Sequence, residues 1–215
     1  MKTPPVLLLI ALALPVGISA ADLTPTLGAK GKLLLEEKFD AAGLPVGWIK
    51  NTGTLEVRDG ALHASELASD QHIAAFRKAL PLQDGAVQID FKLEGATAFH
   101  LGFDPAPGTL KKKGHLFAVV ITPEGWQITE QPDKNDATSK AVVHAKAATK
   151  FPRGDWFTLM VEMKGNDVVA QVAGKEPLRA TAKDFHVKKP GLVFRAGGKG
   201  QHEALVDNVR VWELK

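Results

Sequence analysis

The sequence predicts an all-β fold, a jelly-roll sandwich of two curved antiparallel sheets. Three observations predict it. Some seven or eight short stretches alternate apolar and polar residues, the two-residue period of a half-buried strand. Turn-forming Gly, Pro, Asp and Asn separate them, and a helical period is almost nowhere to be found. In the clearest stretch, Ala86 to Glu94, Val87, Ile89, Phe91 and Leu93 fall on one side. Gln88, Asp90, Lys92 and Glu94 fall on the other, the side expected to meet solvent.

The chain opens with Lys2, an apolar run from Val6 to Leu14, and the small residues Gly17 to Ala21. That run is shorter than the roughly 20 residues a membrane helix needs. The pattern is that of a secretory signal peptide over residues 1–21, cleaved after Ala20 or Ala21. No cysteine follows it, so a lipid-anchoring site is excluded and a secreted or periplasmic protein is expected. The chain has no cysteine at all. Thiol catalysis, cysteine–zinc sites and disulfides are therefore excluded.

The remaining length suits one sandwich domain, 32–215, behind an extended lead-in, 22–31. The formal charge is +3, with both signs intermixed. The one dense basic run, Lys111 to Lys113, reads as a solvated loop tip, which argues against a nucleic-acid partner.

The strands follow in order. Lys32–Phe39 is the first, and a Gly- and Pro-rich loop follows over 40–47. Thr54–Arg58 turns at Asp59-Gly60 into Ala61–Ala64, and Asp-Gly here favours a type I′ hairpin. His72–Leu80 alternates despite its alanines, although a helix competes for it. Gln83–Gly85 turns the chain into 86–94. Ala98–Phe103 places Phe99, Leu101 and Phe103 opposite His100. His115–Ile121 is apolar enough to be buried on both faces. Trp126–Gln131 and a weak strand at 140–144 come next. Trp156–Lys164 and Val168–Val172 flank the turn Gly165-Asn166-Asp167, the best hairpin in the chain. Ala180–Phe185 is expected to hold a helical turn; Gly191–Ala196 and Leu205–Leu214 close the fold.

Several segments together resemble a known superfamily. They are Phe39-Asp40 with Leu44-Pro45-Val46-Gly47-Trp48, then Leu55 to Leu62, and finally Phe194-Arg195 with Val206 to Trp212. In this order they resemble the concanavalin A-like lectin/glucanase superfamily. Within it the chain is most similar to bacterial secreted domains classed as 3-keto-disaccharide hydrolase-like, or loosely as family 16 glycoside hydrolase-like. The stretch Ser65 to His72 also looks like one that recurs in a branch of such domains. The resemblance implies a carbohydrate groove on the concave face of one sheet, hence a carbohydrate partner. It also implies a structural calcium near the paired termini, with Asp40 and Asp207 as ligands by position. Calcium takes roughly six to eight oxygens, and only these two carboxylates suggest themselves.

The departures from the family pattern bear on activity. Family 16 glycosidases carry Glu-x-Asp-x-x-Glu on one strand, and the nearest stretch here runs from Gln88 to Glu94. Gln88 is an amide and Leu93 stands at the acid position. A two-carboxylate glycosidase is therefore rejected at this strand. The Gly-Asn-Ser-Gly stretch of the 3-keto-disaccharide hydrolases is absent, and Glu94 to Ala98 stands in its place.

Glu66, Asp70 and His72, with Arg77, form the candidate catalytic set, because an imidazole oriented by a carboxylate can abstract a proton. From a 3-keto sugar it would take the proton beside the ketone, with Arg77 or Arg195 at the developing enolate oxygen. Candidate substrate-binding residues are His63, His100, Asp104, Trp126 and Arg195, with His115 across the loop from Asp104. Trp126 is the candidate stacking platform, whereas Trp156 and Trp212 are expected in the core. The expected function is a non-catalytic or weakly catalytic glycan-binding module. A 3-keto-glycoside hydrolase and an envelope adhesion or scaffold domain are the alternatives.

Overall fold

The computed structural model describes residues 21–198 and 202–215. Apart from Ala21, the expected signal peptide lies outside the described residues. Fifteen strands form two antiparallel sheets. The first sheet has eight. Six are β3 (Thr54–Arg58), β4 (Ala61–Ser65), β6 (Gly85–Glu94), β11 (Trp156–Lys164), β12 (Asp167–Val172) and β13 (Leu178–Thr181). The others are β15 (Glu203–Leu214) and β1 (Lys30–Glu37), and their order is β13-β12-β11-β6-β15-β4-β3 with β1 also on β15. The second sheet runs β10-β9-β8-β7-β14-β5-β2. Its strands are β2 (Trp48–Thr52), β5 (Ala74–Leu82), β7 (Ala98–Phe103), β8 (Phe117–Thr122), β9 (Gly125–Glu130), β10 (Val142–Ala147) and β14 (Lys189–Gly197).

The core lies between the sheets, where alternation predicts it. Val87, Ile89, Phe91 and Leu93 on β6 meet Phe99, Leu101 and Phe103 on β7, all fully buried. Phe91 stacks on Phe99 at 5.6 Å and Phe76 on Phe194 at 5.0 Å. Each such ring contributes about 1.5–3 kcal/mol by leaving water. The turn at Asp59-Gly60 has both residues at positive φ, 52° and 72°, as a type I′ hairpin requires.

Two expectations need correction. Trp156 and Trp212 are only half-buried, with Lys92 and Lys30 over their rings. And the outer side of β6 is solvated only toward its end, at Lys92 and Glu94, for Gln88 and Asp90 are buried at 0% and 6% exposure.

The cover over β6 is the lead-in. Leu23 N–H donates to Gln88 Oε1 at 3.1 Å, and Gln88 Nε2 donates to the Ala21 carbonyl at 3.2 Å. Thr26 and Leu27 N–H both donate to Glu162 Oε2, at 2.6 and 2.7 Å. Gln171 Nε2 donates to the Thr24 carbonyl at 3.0 Å. Residues 21–27, which have no ladder partner, thus satisfy much of their backbone on side chains, and Gln88, Glu162 and Gln171, on three adjacent strands, are their seat.

Candidate functional site

The outer face of the second sheet is built from two cross-strand rows. In one, Ala75, Arg195, His100, Val120, Gln127 and Lys146 lie side by side on β5, β14, β7, β8, β9 and β10. In the next, Ile49, Arg77, Val193, Gly102, Ala118 and Thr129 do the same. Strand spacing makes the first row about 24 Å long. The floor is small and mostly apolar, and charged groups stand in and around it. A cavity of about 450 Å³ lies at one end, against Val120, Thr122, Gln127 and Lys146. Another of about 190 Å³ lies at the other, against Ile49, Arg77, Pro190 and Val193.

Between the cavities sits an ionic cluster. Arg77 Nη1 donates to Asp104 Oδ2, while His115 Nδ1 meets Asp104 Oδ1 at 2.5 Å. Arg77 Nε also donates to Asn51 Oδ1 at 3.2 Å. Burial works to raise the Asp104 carboxyl, but the hydrogen bonds from His115 and Arg77 prevail and hold it below its usual range. Burial, then the charges of Arg195 and His115, press His100 down to about 4. His100 is therefore a neutral imidazole near pH 7.

The sequence-selected residues are scattered over the fold. Arg77, His100, Asp104 and Arg195 come together on this face. Glu66 and Asp70 lie in the loop between β4 and β5, where backbone amides engage both. Gly53 N–H donates to Asp70 Oδ2 at 2.6 Å and Gly198 N–H to Glu66 Oε1 at 3.1 Å. They tie neighbouring turns together. His72 is exposed, with Nδ1 2.7 Å from the Ile73 carbonyl, and shares no hydrogen bond with either carboxylate.

His63 lies on the first sheet, 2.9 Å from Glu203, which also accepts from Arg58. Trp126 is 2% exposed and packs edge-on against Phe151 at 6.4 Å. Its indole faces the core, so it offers no stacking surface. Its neighbour Gln127 faces the groove instead, as strand alternation dictates. Sequence reasoning missed Gln127, Thr129 and Lys146. Their strand was legible, but the face it turns to the groove was set by Trp126 turning inward.

Asp40 and Asp207 are close enough for charge coupling. Burial, followed by the negative charges of Asp90, Asp40 and Glu37, raises Asp207 to about 6, against the bond from Asn208 N–H; Asn208 Nδ2 also donates to Asp207 Oδ2 at 3.1 Å. Yet among the described residues no three Asp, Glu or His groups converge on a metal position. Calcium takes about six to eight oxygens, of which Asp40 and Asp207 would supply the carboxylate share.

On the outer side of β8 stand Ala118, Val120 and Thr122, with no carboxylate. Asp104 is engaged by two cations. Glu130, at the sheet's edge, is engaged by Lys112 at 3.0 Å and His144 at 3.1 Å. Glu124 lines the cavity at one end of the face, but no second unengaged carboxylate stands beside it among the described residues to complete the pair of a retaining or inverting glycosidase.

Neither a family model nor a curated protein sequence matches the chain. Solved structures do. The laminarinase from Rhodothermus marinus superposes with a TM-score of 0.64 at 14% identity, covering 86% of this chain and 98% of that one. Carbohydrate-binding module CBM66 from Bacillus subtilis superposes with 0.61 at 13% identity, covering 78% and 96%. A Bacillus subtilis protein of unknown function with a galectin-like fold gives 0.59 at 15%, covering 86% and 98%. At such identities the likeness is one of fold, and what this chain shares with them is the two-sheet antiparallel β-sandwich of jelly-roll type.

Proposed function

We propose that the protein is an exported glycan-recognising sandwich whose sugar lies along the outer face of β5, β14, β7, β8 and β9. The observation that carries this is the convergence of Arg77, Arg195, His100, Asp104 and Gln127 on that face. The opposite sheet has its polar row sealed by the lead-in. A long strip of small apolar residues edged with hydrogen-bonding groups suits a pyranose chain, whose rings have C–H faces and hydroxyl rims. The shared fold with a carbohydrate-binding module and a laminarinase supports the reading. The lack of a free carboxylate pair favours binding over hydrolysis.

The test is titration calorimetry against oligosaccharides selected on a glycan array. Arg77→Ala and His100→Ala are each expected to weaken binding by about tenfold or more, about 1.4 kcal/mol. Unchanged affinity in both variants refutes the site.

One observation favours a second reading. His115 is held by Asp104, which in turn is held by Arg77. That arrangement orients an imidazole for proton transfer, as removal of the proton beside a 3-keto group requires. Turnover of a 3-keto disaccharide, lost in His115→Gln, would establish it. No turnover in the wild type leaves the binding role alone.

A further inference from the structure

Arg195 is the most poorly compensated charge on the groove face. It sits at mid-strand on β14 and is 9% exposed. No carboxylate lies within ion-pair distance of it among the described residues. Its Nη2 has no hydrogen-bond partner there, and neither has Nδ1 of His100 on the adjoining strand. Burying a guanidinium with a donor unmade is costly. Asp104 is the nearest anion in electrostatic terms, but Arg77 and His115 already occupy its two oxygens. Two guanidiniums thus face one carboxylate, and His100 is uncharged near neutral pH. The centre of the groove carries surplus positive charge, and just beneath its surface Arg195 Nη2 and His100 Nδ1 lack partners.

We infer that the sugar taken by this groove is acidic, and that its carboxylate or sulfate is received by Arg195, with His100 beside it. The inference rests on the carbohydrate reading and narrows it to a ligand class. A planar fork of N–H donors fits a carboxylate two bonds at a time and also accepts a sulfate. A neutral hydroxyl would leave the guanidinium without a counter-charge. The oxyanion supplies what the fold leaves out, so binding completes the charge balance of the sheet face.

Calorimetry against three probes tests this: an oligogalacturonate, a sulfated galactan oligosaccharide, and a neutral β-glucan oligosaccharide. One of the acidic probes is expected to bind at least about tenfold tighter than the neutral one, and which one wins names the oxyanion. Arg195→Gln is expected to abolish that preference, and Arg195→Lys to retain part of it. Arg179→Gln, on the first sheet, is expected to leave it intact. Folding is not expected to confuse the result, because Arg195→Gln removes an unpaired buried charge; its unfolding midpoint should equal or exceed that of the wild type. Arg195→Met serves as a second neutral variant.

Equal affinity for neutral and acidic probes overturns the inference while the groove stands. Acid preference that survives both neutral variants also overturns it. Binding to no glycan at all brings down the carbohydrate reading and this inference with it.

Discussion

Glu162→Ala tests whether the lead-in is docked, and so why the first sheet's outer face is unavailable to a ligand. Glu162 is 0% exposed and accepts Thr26 N–H at 2.6 Å and Leu27 N–H at 2.7 Å. It also accepts from Gln171 Nε2 at 2.5 Å. Hydrogen bonds to a charged group are worth about 1.5–3 kcal/mol each. Two backbone donors left without an acceptor would cost about 3–6 kcal/mol if they stayed in place. The segment lies at the surface, however, with Thr26 itself exposed. It can peel away and hydrate, so the expected loss is near the lower bound, about 3 kcal/mol. For a chain of this size that is a fall in Tm of about 6–12 °C. Glu162→Gln keeps the shape and one acceptor oxygen, and should lose only about 1 kcal/mol. Urea unfolding measures both. Hydrogen exchange at Leu23, Thr26 and Leu27 reports the docking itself, with protection in the wild type and fast exchange in Glu162→Ala. A variant within about 0.5 kcal/mol of wild type, with these amides already unprotected in the wild type, would refute the reasoning.

The other predictions concern buried charge. Asp207 has its folded pKa raised to about 6 from 3.8, so the folded state holds the extra proton between those values. Stability from this group is therefore lost as pH rises through that window. Asp207→Asn should match the wild type near pH 4 and exceed it by about 1–2 kcal/mol at pH 7, after discounting for partial exposure; thermal melts across that range show it. His100 works the other way, since its folded pKa is lowered to about 4 from 6.5. Stability rises with pH through that interval, and His100→Gln should flatten this rise. Lys189 is 1% exposed and donates to the carbonyls of Gln83, Phe185 and Val187 at 3.1, 2.8 and 2.8 Å. Burial lowers its pKa to about 8 from 10.5, so the unfolded chain holds the extra proton between those values. Wild-type stability should rise over that range and the rise should vanish in Lys189→Met. That variant should also lose about 1–3 kcal/mol at pH 7, because three carbonyls lose their donor.

Much of the fold was legible because burial of one strand face leaves a period of two in the sequence. Val87 to Leu93 and Phe99 to Phe103 face the core as their alternation predicts. The hairpins at Asp59-Gly60 and Gly165-Asn166 also stand where turn chemistry puts them. What alternation does not encode is what covers the other face. Gln88, Asp90 and Glu162 are polar in sequence, hence expected in water, yet a segment over 130 residues away from Glu162 covers that residue. Trp156 and Trp212 err in the opposite direction, because large aromatics can lie at a rim beneath a lysine.

The site was legible only in part, for a related reason. Arg77, His100 and Arg195 are far apart in sequence and meet because β14 inserts between β5 and β7. Single-strand patterns do not report strand order. Glu66 and Asp70 looked like chemistry by residue type. Their oxygens instead accept from Gly198 and Gly53 N–H groups, partners that no local spacing reveals.

The central claim, that ligand lies on the outer face of the second sheet, is tested most directly by NMR chemical-shift mapping of the labelled protein. The titrant is the tightest-binding oligosaccharide. Shifts clustered at Arg77, Gly102, Val120, Gln127 and Arg195, with residues 22–29 and β12 silent, are the predicted result. Shifts confined to the lead-in, β11 and β12 would contradict the account.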